Sequence, residues 1–457
     1  MLSQEIFKAN DIRGLAGGAD AQWDAEGAYA LGVAFVETLD LTKAEGAFVL
    51  GRDMRVTGEE LSRAFAEGAM SRGADVIDIG LASTDELWFA SGRLELPGVQ
   101  FTASHNPATY NGIKFCLSGA RPVTPKQLID IARKAFDYEA KETKPAARVT
   151  GTRREQDLLP AYVDHLHSLV PTEGMRRLKV VVDAGNGMGG HTVPSVLAGL
   201  DVEMVGLFLD LDGSFPNHQP NPLEPENLVD AQRAVRDNGA DLALVFDGDA
   251  DRCFIIDETG AVVNPSAVTA LIACQELRRE PGSTIVINTI TSRTVAEVVA
   301  EEGGETVVSR VGHTYVKAAM AERDAIFGGE HSAHYYFRDF WSADTGMLAG
   351  LHVLAMLGRS DEPLSRLVQR FDRYASSGEI NSTVADAKQA MDKVAEAFAG
   401  RGEVGFPDGL MVNGPDWWVN LRPSNTEPLL RLNVEAKDPK QMAALRDEVL
   451  ALVRGQQ

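Results

Sequence analysis

Leu242–Asp257 reads LALVFDGDADRCFIID. An apolar run, an acidic hexapeptide and a second apolar run form the pattern of two buried strands joined by a tight turn. Similar punctuation recurs along the chain. Ala47–Leu50 leads into GRDMR and a helical pattern from Glu59 to Met70. Lys179–Val182 leads into DAGNGMGG and another helical pattern, and Thr284–Ile287 into NTITSR and a third from Thr294 to Glu301. A Val/Ile-rich run, a Gly- or polar-rich turn and a helix are the parts of a βαβ unit. The fold class is therefore α/β with mixed, mostly parallel sheets, and the recurrence suggests three related domains.

The stretch Tyr138–Glu155 is polar and lacks a hydrophobic period, which reads as a linker or edge. A second soft joint falls at Tyr374–Ser382. Beyond it the pattern changes to a helix around Ala385–Phe398, short strands at Trp417–Leu421 and Leu429–Val434, and a closing helix carrying Met442, Leu445, Val449 and Leu452 on one face. That tail reads as a smaller α+β domain. The domain division is 1–150, 151–255, 256–373 and 374–457.

The chain has 457 residues, 44% hydrophobic and 24% charged, an ordinary globular balance that excludes disorder and fibrous repeats. Its 44 basic and 66 acidic residues give a net charge of −22, which disfavours nucleic acid and anionic membranes as partners. An anionic substrate would need local bases to collect it. Cys116, Cys253 and Cys274 form no CxxC and no disulfide framework, in keeping with a reducing compartment. The first residues lack a signal-peptide h-region, and no apolar run is long enough to span a bilayer. The expectation is a soluble cytoplasmic protein.

In DGDADR, the alternating Asp247, Asp249 and Asp251 crowd three hard oxygen donors together, with Gly248 and Ala250 leaving room to fold around a cation. Such carboxylates repel one another unless a cation or bases neutralise them, and the donor type suits Mg²⁺. A polar turn between strands is the plainer reading. An EF-hand is excluded, because Arg252 stands where its glycine is required and strands flank the loop. In TASHNP (Thr102–Pro107), Pro107 keeps Asn106 out of helical conformation, placing Ser104 on a tight loop. A loop serine is usually only a turn former, but beside a cation site a phosphoserine could supply a ligand oxygen.

Gly328–Phe337, GGEHSAHYYF, offers a carboxylate, a hydroxyl and two imidazoles to a polyol. A zinc site from Glu330, His331 and His334 lacks a further ligand at suitable spacing. Arg422–Arg431, RPSNTEPLLR, has the composition to grip a phosphate, or merely to close a hairpin. Gly185, Gly187 and Gly190, with Asp210 beyond, satisfy the dinucleotide fingerprint. Its mid-chain position and the following PNHQPNPLEPENL (Pro216–Leu228) argue against that use, and a dehydrogenase would leave DGDADR unexplained.

TASHNP, DGDADR, GEHSAH and RPSNTEP, in this order, together resemble the α-D-phosphohexomutase family over nearly the whole chain. NDIRG (Asn10–Gly14), VVVDAGNGMGG, PNHQPNPLEPENL and RVGHTYV (Arg310–Val316) strengthen the likeness, and the sugar loop is most similar to bacterial phosphomannomutase/phosphoglucomutase members. The resemblance implies three related α/β domains and a TATA-binding-protein-like fourth domain around a central cleft. It implies interconversion of hexose 1-phosphate and hexose 6-phosphate, of mannose and also of glucose, through a phosphoserine and a hexose 1,6-bisphosphate.

On that resemblance Ser104 is the phosphorylated serine and, with Asp247, Asp249 and Asp251, holds Mg²⁺. Arg13, Lys114, Arg252 and His334 lie near the reacting centre, with Lys114 or His334 moving the proton. Glu330, Ser332 and His313 bind sugar, and Arg422, Ser424, Asn425, Thr426 and Arg431 bind the phosphate that is not transferred. The implied partner is a small phosphosugar, with the oligomeric state open between monomer and dimer. Ala333 stands where the family commonly has Gly, His331 occupies a variable position, and NTITSR lacks a basic residue unless Arg293 replaces it. These departures bear on substrate choice. The alternatives are a phosphoglucosamine mutase, or a sugar-phosphate-binding protein without turnover.

Overall fold

The two apolar runs around DGDADR form the strands Leu242–Phe246 and Cys253–Asp257, buried throughout. They pair antiparallel with Phe246 opposite Cys253, so the acidic hexapeptide closes a hairpin. On its other side Leu242–Phe246 runs parallel to Leu178–Asp183, which runs parallel to Val202–Leu207. The turns that follow Asp183 and Phe246 therefore leave the same edge of one sheet. That edge, at the carboxyl ends of parallel strands, is where open α/β sheets place ligands.

The computed structural model describes residues 1–42, 46–141, 151–423 and 429–455. They form two compact units, Met1–Val263 with Ser332–Ser365, and Asn264–His331 with Arg366–Gln457.

In the first unit a second sheet runs in the order Ile12–Leu15, Tyr110–Leu117, Gly98–Phe101, Ala47–Arg52, Asp75–Leu81 and Arg153–Glu155. The Gly98–Phe101, Ala47–Arg52, Asp75–Leu81 and Arg153–Glu155 strands are parallel, whereas Tyr110–Leu117 is antiparallel to both its neighbours. Ser104 follows the carboxyl end of Gly98–Phe101. Phe35, Phe48, Phe65, Phe101 and Phe115 fill the core beneath the sheet, with edge-on and stacked ring pairs.

Of the polar stretch Tyr138–Glu155, residues 142–150 lie outside the described residues. Helix Pro125–Glu139 carries through its start, and Arg153–Glu155 joins the sheet as an edge strand. Its side chains are exposed, so no hydrophobic alternation announces it; backbone pairing and an Arg153–Asp78 ion pair of 2.5 Å hold it.

In the second unit Thr284–Asn288 lies parallel to both Glu305–Ser309 and Phe327–Gly329. The C-terminal sheet is antiparallel, ordered Ala375–Ser376, Leu429–Ala436, Trp417–Pro423, Leu410–Asn413 and Glu403–Gly405. Ile380–Thr383 also pairs with Leu429–Ala436. Tyr374–Ser382 is thus not a bare joint, because Ala375–Ser376 and most of Ile380–Thr383 fall in it and are stitched on by backbone hydrogen bonds. Val394 and Phe398 from one helical segment and Leu445 and Val449 from helix Pro439–Arg454 close the core over this sheet. Among the described residues no helix is long and apolar enough to cross a membrane.

Candidate active site

Ser104 is buried and left-handed, with φ at +48°. A β-carbon makes that conformation unfavourable, so the surrounding loop must be held from outside. Arg55 does this. Its guanidinium donates to the carbonyls of Ser104 and Asn106 at 2.7 Å and of Pro107 and Tyr110 at 2.8 Å, while Nε faces Asp53 at 3.2 Å. One fully buried side chain thereby fixes the curvature of the whole TASHNP loop. Thr102 Oγ1 adds a bond from the Ser104 amide at 2.9 Å.

The Ser104 hydroxyl donates to Asp247 Oδ2 at 2.9 Å, joining the serine loop to the acidic hairpin turn. Asp247, Asp249 and Asp251 are all buried, and one carboxylate oxygen from each lies within 4.8 Å of the others. Lys114 reaches Asp249 at 2.7 Å and Asp251 at 2.5 Å. Thr84 Oγ1 donates to Asp249 at 2.5 Å, and Arg252 Nε lies 3.2 Å from Asp247.

The electrostatics diverge within the triad. Burial, reinforced by Asp251, pushes the Asp247 carboxyl well up. Burial would raise Asp249 as well, but Lys114 and the hydrogen bond from Thr84 override it and hold that carboxyl below its ordinary range. Burial alone would lower Lys114, yet Asp249 and Asp251 raise it, so its ammonium stays charged. Asp249 Oδ1 and Asp251 Oδ1 are buried and accept no hydrogen bond. Buried carboxylate oxygens without partners are costly, so the triad fits a hard divalent cation.

His105 Nδ1 lies 3.3 Å from Ser104 Oγ and accepts from Arg252. Burial, then the neighbouring Arg252 and Arg13, drive its imidazole well below its ordinary range, leaving it neutral. Arg13 donates to Asn106 at 2.8 Å and Asp11 at 2.6 Å. His334 Nε2 is 3.8 Å from Asp251, and its Nδ1 is 2.9 Å from Ser332 Oγ. In the first unit, then, Arg13, Ser104, Lys114, the three aspartates, Arg252 and His334 come together. Arg55, His105 and Thr84 join them although sequence reasoning passed them over. His105 stood inside a quoted motif, and Arg55 and Thr84 act on residues far along the chain.

In the second unit Glu330 is buried and its Oε1 accepts from Asn288 at 2.9 Å and from the Gly312 amide at 3.1 Å. His313 opens helix His313–Arg323 beside that amide. Arg422 and Arg431 face each other on adjacent strands. Like charges directly opposite are unfavourable, and carboxylates separate them. Glu379 lies 3.3 Å from Arg431 and 3.7 Å from Arg422, and Asp408 lies 3.9 Å from Arg422. Ser424, Asn425 and Thr426 lie outside the described residues.

The glycines of the dinucleotide-like motif admit protein instead of a cofactor. A β-carbon on Gly187 would lie 2.6 Å from the Gly248 carbonyl oxygen, and one on Gly190 would lie 1.9 Å from that of Leu209.

Family models match in chain order: phosphoglucomutase/phosphomannomutase alpha/beta/alpha domain I over residues 4–142, domain II over 160–260, domain III over 264–374 and the C-terminal domain over 379–452. The chain belongs to the phosphoglucomutase/phosphomannomutase family. It is 39% identical to a phosphomannomutase of Escherichia coli, covering 99% of this chain and 100% of that protein. It is 38% identical to a Xanthomonas campestris protein named phosphohexose mutases, covering 98% and 99%. A crystal structure of a phosphoglucomutase/phosphomannomutase family protein from Burkholderia thailandensis superposes with a TM-score of 0.89 at 33% identity, covering 100% and 99%.

The departures from the phosphoglucomutase/phosphomannomutase pattern have local explanations. Ala333 is left-handed with φ at +62°, a conformation glycine adopts without strain. Arg293 does not present a free guanidinium, because it donates to the carbonyls of Pro415 at 2.8 Å, Gly414 at 3.1 Å and Trp417 at 3.2 Å. Its charge is spent on docking the helix Arg293–Glu301 to the C-terminal sheet.

Proposed function

We propose that the protein is a cytoplasmic phosphohexomutase, arranged as the domains 1–150, 151–255, 256–373 and 374–457, that interconverts hexose 1-phosphate and hexose 6-phosphate through phosphorylated Ser104 and a hexose 1,6-bisphosphate. The observation that carries this reading is the Ser104 hydroxyl lying 2.9 Å from Asp247 within a buried carboxylate triad whose Asp249 and Asp251 each keep an oxygen that accepts no hydrogen bond. Mannose is the favoured sugar, on the strength of a full-length relative named phosphomannomutase, with glucose accepted as well.

Ser104, Asp247, Asp249 and Asp251 would hold Mg²⁺, which supplies charge neutralisation to the transferring phosphoryl group. The chain's own cations contribute fixed positive charge: Arg252 lies beside Ser104 Oγ at 3.3 Å, and Lys114 is kept protonated by its two aspartates. The P–O bond to Ser104 Oγ breaks as a bond forms to the free sugar hydroxyl. His334 takes that hydroxyl's proton, since Lys114, held as an ammonium, has no lone pair to accept it. The bisphosphate then turns, its other phosphoryl group returns to Ser104, and His334 gives the proton back. Glu330, Ser332 and His313 bind sugar, while Arg422, Arg431, Ser424, Asn425 and Thr426 hold the phosphate at rest. Arg13 anchors the serine loop through Asn106.

The test is phosphorus NMR of the purified protein with Mg²⁺, a trace of hexose 1,6-bisphosphate, and mannose 1-phosphate or glucose 1-phosphate in separate tubes. The matching 6-phosphate is expected in both, faster with mannose. No conversion in either tube would replace this reading with one of its alternatives, a glucosamine phosphate substrate or binding without turnover. Ser104→Ala is expected to abolish turnover and to keep phosphosugar binding by calorimetry; substantial residual turnover sinks the phosphoserine assignment.

A further inference from the structure

Two conspicuous motifs, DAGNGMGG and PNHQPNPLEPENL, supply none of the groups assigned above. The structure folds them onto opposite sides of the acidic turn. From one side the Met188 amide donates to the Gly248 carbonyl at 2.9 Å, and Gly187 packs directly against the same oxygen. From the other, Pro220 lies against Gly248, whose α-carbon leaves no room for a side chain: a β-carbon there would be 3.4 Å from Pro220 Cβ and 2.5 Å from the Ser104 carbonyl oxygen. Gly248 separates Asp247 from Asp249, so its position sets the spacing of two of the three carboxylates.

The two flanking loops are also tied to each other, and His218 is at the centre of these ties. His218 Nε2 lies 3.2 and 3.3 Å from the two oxygens of Asp183, which is fully buried. Its Nδ1 lies 2.8 Å from the carbonyl of Gln219. Both ring nitrogens face acceptors, an arrangement satisfied when both carry a proton. Asp183 also accepts from the Gly185 amide at 2.9 Å, at the first turn of DAGNG. The His218 ring packs edge-on to Phe208 at 5.3 Å, and the Phe208 carbonyl accepts from the Asn186 amide at 2.9 Å. Asn217 completes the bridge by donating to Asn186 at 2.8 Å.

We propose that His218, paired with Asp183, is a positioning residue that clamps the DAGNG and PNHQP loops about Gly248 and so sets the geometry of the cation-binding aspartates. The inference rests on the metal reading of Asp247, Asp249 and Asp251. It gives His218 no contact with substrate or with the reacting atoms. Groups hydrogen-bonded directly to metal ligands alter metal affinity by about 10–100-fold when removed, and His218, acting one step further out through Gly248, is expected at the lower end of that range.

The experiment is Mn²⁺ binding to the full-length protein, followed by electron paramagnetic resonance of the free ion, with thermal unfolding measured in parallel. His218→Phe keeps the bulk against Phe208 and loses both donors. It is expected to weaken Mn²⁺ binding by about tenfold while remaining folded at the assay temperature. His218→Gln keeps an amide donor toward Asp183 and is expected to restore most of the affinity. Should His218→Phe fail to fold, Asp183→Asn, which is isosteric, takes its place with the same expected loss.

A folded His218→Phe or Asp183→Asn variant with wild-type Mn²⁺ affinity overturns the proposal, even if its melting temperature has dropped. A His218→Gln variant as weak as His218→Phe overturns it too. Asp247→Asn separates the two levels of the argument: if it binds Mn²⁺ as wild type does, the metal reading itself fails.

Discussion

Ser104 owes its accessible chemistry to a conformation that its own backbone disfavours by about 1–2 kcal/mol. Arg55 offsets that cost by collecting four carbonyls of the same loop. Lysine at this position retains the charge but has a single nitrogen, which cannot span carbonyls fanned out in the plane of a guanidinium. Arg55→Lys is therefore expected to lower kcat by about a hundredfold through displacement of Ser104. Its urea midpoint should fall as well, since buried carbonyls lose donors at about 1–3 kcal/mol each. Steady-state kinetics and urea titration together check this; unchanged kcat would remove Arg55 from the positioning of Ser104. DGDADR was legible because its carboxylates are adjacent and their repulsion is a local fact. Arg55 and Thr84 were not, because their partners lie 49 and 165 residues away.

At the scale of elements, strands buried on both faces were readable from their apolar runs: Leu242–Phe246 and Cys253–Asp257 have the limits expected of them. Strands held mainly by backbone pairing were not, as Arg153–Glu155 and Ile380–Thr383 show by alternating no apolar face. Arg293 marks the same limit for side chains. Sequence could offer it as a substrate base, but its guanidinium donates three times to the backbone of Gly414, Pro415 and Trp417, while the Glu435 carboxylate accepts from the Arg293 amide at 3.0 Å and from the Trp418 indole at 2.9 Å. Arg293→Ala is expected to destabilise the protein by about 1.5–3 kcal/mol, the range for hydrogen bonds to a charged group. Amide hydrogen exchange should quicken in Leu410–Asn413 and Trp417–Pro423 before it does in Leu242–Phe246. Equal protection of all three strands in the variant would deny Arg293 its docking role.

Across the whole molecule, the repeated strand–turn–helix grammar and the family resemblance anticipated the α/β class, whereas ties between distant segments left no trace in any one motif. Asp85 is the clearest such tie. It is fully buried and accepts hydroxyls from Ser83 at 2.5 Å, Tyr162 at 2.7 Å and Thr345 at 2.7 Å, the last 260 residues further on. Burial outweighs these three donors and pushes its carboxyl up to about 7. A carboxyl raised on folding gives stability that is fully present below its unfolded value of about 3.9 and lost as pH rises through the folded one. The rise from about 3.9 to about 7 sets a loss of about 4 kcal/mol between pH 4 and the alkaline side of neutrality. Asparagine is isosteric and does not titrate. Asp85→Asn is thus expected to be less stable than wild type at pH 5 and to gain on it steadily by pH 8, in urea titrations at each pH. Parallel stability profiles for the two proteins would mean that the three hydroxyls, and not burial, set the charge of Asp85, and that this joint stays ionised throughout.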